Sequence, residues 1–177
     1  MHFIQILGLA LFAAAQISCA AVPAAEDATL SPAPRHVLLE RANPSPQAVI
    51  CGPSNNQQKY GKDAVKKAYN NGKKYWKNYD DSRCYNGNCF PKKYGGNGGN
   101  VRSNLPAECD VNARGSALVE WPIMENGKAY ANGVNPDNDR VIMWDRFNNG
   151  TIVIFCGVIS HRGLGGTSFN WCKKDSS

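Results

Sequence analysis

The chain has 177 residues, enough for one ordinary domain, with seven cysteines and a formal charge of +6. So many thiols argue against an intracellular enzyme, and the sign of the charge excludes an acidic, calcium-cage type of protein. Charged residues at 19% and hydrophobic ones at 42% exclude a chain disordered throughout.

The first segment carries the one long apolar run. Residues 3–15 are apolar apart from Gln5 and are followed by Ser18-Cys19-Ala20, a small-x-small cleavage pattern, so residues 1–20 read as a secretory signal. The run is too short for the roughly 20 residues that a membrane span needs. Removing it takes Cys19 away and leaves six cysteines, an even number suited to disulfides. Residues 21–50 hold five prolines (Pro23, Pro32, Pro34, Pro44, Pro46) and many alanines, too little to build a core. They read as a disordered linker or pro-segment, with Arg41 a candidate trimming point. The remaining cysteines all lie at or after Cys51, which sets the folded domain at 51–177.

Within that domain 18 Lys and Arg face 11 Asp and Glu, a net +7. Seven of the lysines (Lys59, Lys62, Lys66, Lys67, Lys73, Lys74, Lys77) fall in one stretch with a single acid, Asp63. Such charge suits a polyanion, either nucleic acid or anionic lipid, and equally suits a merely solvated basic face. From Asn56 to Lys77 the pattern is helical. Val65, Ala68, Tyr69, Gly72 and Trp76 share one stripe, Lys62, Lys66, Lys73 and Lys77 flank it, and Lys67 and Lys74 lie opposite. Gly72 predicts fraying beyond that point.

A turn-rich region follows, Asp80 to Asn104. Cys84 and Cys89 bracket Tyr85-Asn86-Gly87-Asn88, a hairpin-like turn. Residues 94–100 read as a loop. It is not a phosphate-binding P-loop, because no Gly-Lys-Ser/Thr follows and no helical pattern begins there. From Ser116 the period changes to two. Ser116–Met124, Asp139–Asp145 and Thr151–His161 read as strands, with turns at Asn126-Gly127, Asn132-Gly133 and Asn149-Gly150 and a short fourth run at Ser168–Cys172. The expected class is α+β, one amphipathic helix packed on a twisted antiparallel sheet and held by disulfides. Asn149-Gly150-Thr151 is either a glycosylation sequon or simply a hairpin turn.

Chemistry is constrained by scarcity. His2 and His36 lie before Cys51, so His161 is the one histidine of the domain. A zinc site built on several imidazoles is therefore excluded, and cysteines in an oxidising compartment pair instead of ligating. No Gly-x-Ser-x-Gly elbow is present for a hydrolase. Metal-free acid–base chemistry remains, and it needs a carboxylate. Glu120 sits within an apolar strand pattern, Arg140 begins the next strand and His161 ends the one after. Antiparallel neighbours can place all three on one sheet face. The alternative is three unrelated surface residues.

Glu120-Trp121-Pro122-Ile123, Asp139-Arg140-Val141-Ile142 and Cys156-Gly157-Val158-Ile159-Ser160-His161, in that order and spacing, resemble the secreted fungal ribonuclease family. That family comprises the small guanyl-preferring ribonucleases and the related ribotoxins. The resemblance covers most of 51–172, including the helix, the segment Phe90-Pro91-Lys92-Lys93-Tyr94 and the terminal Ser168–Cys172. It implies Glu120 as general base, Arg140 as phosphate-binding arginine and His161 as general acid. Lys92 and Phe169 would support the phosphate, and Tyr94 and Asn97 would bind the base. Family members typically show Tyr-Pro-His where this chain has Phe90-Pro91-Lys92, which removes a hydroxyl donor and keeps a positive charge. The glutamate that pairs with guanine is missing among Gly95, Gly96, Asn97 and Gly98, and Thr167 replaces an asparagine. The resemblance also implies the pairings Cys51–Cys172, Cys109–Cys156 and Cys84–Cys89.

The implied protein is a secreted, extracellular, monomeric endoribonuclease without metal or cofactor. It would cleave single-stranded RNA through a 2′,3′-cyclic phosphate, leave DNA intact, insert stably in no membrane, and act as a toxin or effector. Two other readings stay open. One is a non-catalytic RNA- or protein-binding module on the same fold. The other is a basic membrane-active protein, which accounts for the charge but not for the three-residue set.

Overall fold

The computed structural model describes residues 44–78, 83–95, 99–110 and 112–177. The expected signal segment, the linker as far as residue 43 and Asn97 lie outside the described residues. In chain order the elements are β1 (Val49–Cys51), β2 (Gln58–Tyr60), α1 (Lys62–Asn78), β3 (Arg83–Tyr85), β4 (Asn88–Phe90) and β5 (Lys92–Lys93). There follow α2 (Gly99–Ser103), β6 (Ala117–Ile123), β7 (Asp139–Asp145), β8 (Val153–Ser160), β9 (Asn170–Trp171) and β10 (Lys173–Lys174). All strand pairs are antiparallel, in sheets ordered β10-β1-β2, β3-β4 and β5-β6-β7-β8-β9. The fold is α+β, with the long helix on the five-stranded sheet.

The helix starts later than its charge pattern suggested. Residues 58–60 are extended and pair with β1, because Tyr60 reaches the core from a strand and its hydroxyl donates to Asp139 Oδ2 at 2.6 Å. The carbonyl of Gly61 then accepts from the N–H groups of Ala64 and Val65, which opens α1. Asp63 in the first turn and Lys77 in the last complement the helix dipole. Val65, Ala68, Gly72 and Trp76 form its buried stripe, as the periodicity suggested.

The expected fraying at Gly72 does not occur. A Cβ there would lie 2.6 Å from Met143 Cε and 2.8 Å from Trp121 Cβ, so the glycine lets the helix press directly onto β6 and β7. Beyond it Tyr75 stacks on Trp121 at 5.2 Å, and Trp76 Nε1–H donates to buried Asp145 Oδ2 at 2.7 Å. Tertiary packing outweighs the propensity cost. The glycine-rich run also departs from expectation, since α2 begins inside it at Gly99. Fully buried Val101 anchors that short helix, and its carbonyl accepts from Trp171 Nε1–H at 3.2 Å.

Alternation divides the large sheet into two faces. Val119, Trp121, Ile123, Val141, Met143, Phe155 and Val158 belong to the core under α1. Leu118, Ile142, Trp144, Ile159 and Phe169 belong to a second cluster with Tyr94 and Val101 on the opposite face. β8 changes parity on the way. Phe155 faces Met143 and Gly157 faces Ile142, so Cys156 is an extra, bulged residue. Gly157 takes φ 149° there, and a Cβ on it would meet the Trp171 ring at 2.5 Å.

Disulfides join Cys51–Cys172, Cys84–Cys89 and Cys109–Cys156, the pairs that the resemblance implied. The first closes a sequence separation of 121 residues, a loop worth about 4–5 kcal/mol in the chain-entropy account. The second fastens the β3–β4 hairpin across directly opposed residues, and the third pins the bulge of β8.

Substitution Gly72→Ala separates propensity from packing. Alanine favours a helix interior by about 1 kcal/mol over glycine, but overpacking against Trp121 and Met143 costs about 1–3 kcal/mol. Thermal unfolding should therefore show a lower Tm for the variant. A higher one would contradict the close helix–sheet approach.

Candidate active site

The register of the five-stranded sheet determines which side chains meet. Lys92 of β5 pairs with Glu120 of β6, and Glu120 pairs with Ile142 of β7. Arg140 lies two residues before Ile142, on the same face, and pairs across with Ile159 of β8. His161 lies two residues beyond Ile159, and Phe169 two before Trp171, the partner of Ile159. With a period of two, all five side chains project from one face, away from α1. They line a cleft of about 350 Å³ with Asn88, Tyr94, Gly95, Gly166 and Thr167.

The bulge at Cys156 is what brings His161 there. Val153 and Phe155 point toward α1, and without the extra residue Ile159 and His161 would do the same. The β8 strand is thus re-aimed between its core half and its site half.

Electrostatics in the cleft are dominated by burial. Glu120 is only 6% exposed, and loss of water raises its carboxyl pKa, while Lys92 and Arg140 pull the other way and only partly offset it. Lys92 Nζ lies 3.5 Å from Glu120 Oε1 and donates to Asn88 Oδ1 at 2.6 Å. Arg140, also 6% exposed, is held by backbone oxygens. Its Nη1 donates to the carbonyls of Asp137 and, at 2.9 Å, Asp139, and its Nη2 to that of Pro136 at 3.2 Å. Burial lowers its pKa, against the neighbouring Glu120. Fully buried Phe90 supplies a ring to both cations, with Arg140 Cζ 5.1 Å and Lys92 Nζ 4.8 Å from its centroid.

His161 is fixed by its backbone and by its ring. Its N–H donates to the Asn138 carbonyl at 3.0 Å, and the Nδ1–H donates to the Ser168 carbonyl at 2.6 Å. A carbonyl only accepts, so Nδ1 keeps its hydrogen and Nε2 is the nitrogen that gains and loses a proton. The ring packs on Phe169 with centroids 3.4 Å apart. Burial lowers the imidazole pKa, the Ser168 bond opposes that, and Arg140 adds to the lowering.

Behind the cleft runs an ionic network that sequence reasoning missed. Asp139 Oδ2 accepts from Tyr60 Oη and, at 3.0 Å, from Arg162 Nε. Arg162 also pairs with Glu125 and reaches Asn56 Oδ1 at 3.4 Å. Burial alone would lower the Arg162 pKa, but Glu125 and Asp139 hold it above the usual guanidinium range. These bonds fix the residues on either side of catalytic candidates, Asp139 before Arg140 and Arg162 after His161. A signal existed in sequence, since an acid abuts Arg140 and a cation abuts His161, but nothing showed that the two meet. Asn88 was missed as well, because its link to Lys92 depends on the disulfide-closed hairpin folding over the sheet.

Other expectations fall elsewhere. Tyr94 reaches the cleft but is buried, edge-on to Phe169 at 5.8 Å, and its hydroxyl has no partner among the described residues. Exposed Asn149 lies in the β7–β8 turn, at the end of β7 remote from Arg140. A larger groove of about 640 Å³ lies beyond the 161–168 loop, lined by Gly52, Arg162, Trp171 and Lys173 among others. Its buried cation, Arg162, is already paired with two carboxylates, Glu125 and Asp139. Cys51, Asp139 and Cys172 bring their ligand atoms within 4.8 Å of one another, but both sulfurs are spent in one disulfide.

Residues 45–173 match the family model described as ribonuclease. No curated protein matches the chain.

The network gives a direct stability test. In Asp139→Asn, Arg162 loses a fully buried carboxylate partner, a change that typically costs about 3–5 kcal/mol. Denaturant unfolding should show a lowered midpoint with an unchanged m-value. A variant as stable as the parent would show that the pair contributes nothing.

Proposed function

We propose that this chain, which belongs to the ribonuclease family, is a metal-independent endoribonuclease that cleaves single-stranded RNA by attack of the ribose 2′-OH. The observation that carries the reading is the convergence of Glu120, Arg140 and His161 on one sheet face and in one cleft.

Glu120 takes the 2′-OH proton as that oxygen bonds to phosphorus. The P–O5′ bond breaks, and His161 Nε2–H protonates the departing oxygen, leaving a 2′,3′-cyclic phosphate and a free 5′-OH. Water then reverses the two roles and opens the ring. Arg140 has five donors, of which the three carbonyl bonds leave Nε–H and one on Nη2 for the phosphoryl oxygens. Lys92 adds charge beside Glu120, and Phe169 supports the His161 ring. Phe90 lacks a tyrosine's hydroxyl and acts instead through its ring, on which both cations rest. Tyr94 and Asn97 are assigned to the base. DNA is inert because it has no 2′-OH.

Secretion and a toxin or effector role fit the disulfides and the signal-like leader, with Asn149 a glycosylation acceptor in an exposed turn. Among the described residues no helix is long and apolar enough to cross a membrane. The protein acts as a monomer.

Both pKa directions narrow the working range. The base form of Glu120 exists above a pKa raised from 4.5, and the acid form of His161 exists below one lowered from 6.5. The profile of kcat/KM should therefore be a bell narrowed from both sides, its Glu120 limb displaced above 4.5 and its His161 limb displaced below 6.5. A basic limb above 6.5 would contradict the assignment of His161 as acid.

Mutation and product analysis test the chemistry itself. With EDTA present the whole chain should convert RNA to cyclic-phosphate ends and leave DNA uncut. Glu120→Gln and His161→Ala should each lose about 10²–10⁴-fold in rate. RNA that is bound but never cut by any form would instead mark a binding module.

A further inference from the structure

Six lysines of α1 remain outside this account. Lys62, Lys66, Lys67, Lys73, Lys74 and Lys77 are all exposed, and none has a carboxylate within ion-pair distance among the described residues. Lys62, Lys66, Lys73 and Lys77 fall on one stripe along the helix, about 22 Å long at the helical rise. Lys62 with Lys66 and Lys73 with Lys77 are like charges at i and i+4, an arrangement that destabilises a helix on its own. Nothing in the packing needs it, because the buried side of α1 is formed by Val65, Ala68, Gly72 and Trp76.

The stripe cannot serve the nucleotide being cut. The core under α1 takes one face of the large sheet, and Glu120, Arg140 and His161 stand on the other. The sheet layer lies between the cleft and α1, along whose flank the stripe runs. We infer that the lysine face of α1 is a second RNA-binding surface, which holds the backbone of a long RNA while another part of the same strand lies in the cleft. The inference takes the identity of the polyanion from the ribonuclease reading. A membrane fits less well, since the exposed large apolar residues Val134, Phe147 and Ile152 all lie off α1 and bilayer docking draws on an apolar face.

The test compares the whole chain with a Lys66→Gln, Lys73→Gln, Lys77→Gln variant on a ribodinucleoside monophosphate and on a long heteropolymeric RNA. Glutamine keeps helix propensity. The dinucleotide should be cleaved with kcat/KM within about two-fold of the parent, because it reaches only the cleft. The long RNA should lose about ten-fold or more at low salt, and the slope of log KM against log salt should flatten by about 2, at 0.7 per phosphate contact. Equal effects on both substrates, or none on the long one, would overturn the inference. So would binding of the parent to phosphatidylserine vesicles that the variant loses while long-RNA kinetics stay unchanged. If the parent cleaves neither substrate, the ribonuclease reading fails, and gel-shift binding of the long RNA then decides. Weaker binding by the variant supports the second surface, and equal binding overturns it.

Discussion

A carboxylate withdrawn from water stays available as a base only where cations stand in for the lost solvent and do not pair with it completely. Glu120 is held in that balance. Burial drives its proton affinity up, and Lys92 and Arg140 draw it only part of the way back. The two cations are themselves occupied elsewhere, Lys92 by Asn88 and Arg140 by three backbone carbonyls, and both rest on the Phe90 ring. A tight bidentate Arg140–Glu120 pair would quench the proposed base and fill the proposed phosphate site together. The carbonyl cradle takes up three of the five Arg140 donors, and no Arg140–Glu120 ion pair forms among the described residues.

Holding such a cluster on a sheet requires rigid support from the far side. That support is the core beneath α1, where Gly72 permits close approach, Trp121 packs under Tyr75, and Asp145 ties Trp76 to the β7–β8 turn by accepting also from the Gly150 N–H at 2.8 Å. Asp139 and Arg162 do the corresponding work at the site end of β7 and β8. The disulfide at Cys156 holds the bulge on which the aim of His161 depends. Stability and site geometry are thus carried by different residues on the same strands.

Much of this was readable beforehand, for identifiable reasons. β6, β7 and β8 are long, β-branched and bounded by Asn-Gly turns, and the α1 stripe of Val65, Ala68 and Trp76 is strongly periodic, so local pattern and tertiary role agree. The short strands were not, because β1, β2, β5 and β10 have two or three residues each and exist through their partners. Nor was α2, where burial of Val101 overrides a glycine-rich neighbourhood. At the site, Glu120, Arg140 and His161 could be named from residue type and order. That they share a face depends on one bulged residue that no alternation rule reveals. The side of the molecule on which the lysines stand was equally hidden, since helix period locates them relative to the core but not relative to the cleft.

The most direct test of the balance at Glu120 is an NMR titration of the whole chain that follows the Glu120 carboxyl carbon and the His161 ring nitrogens. The account predicts a Glu120 midpoint above 4.5, a His161 midpoint below 6.5, and protonation of His161 at Nε2. A Glu120 midpoint below 4.5 would show a carboxylate fully captured by Lys92 and Arg140, and would contradict its proposed role as a base.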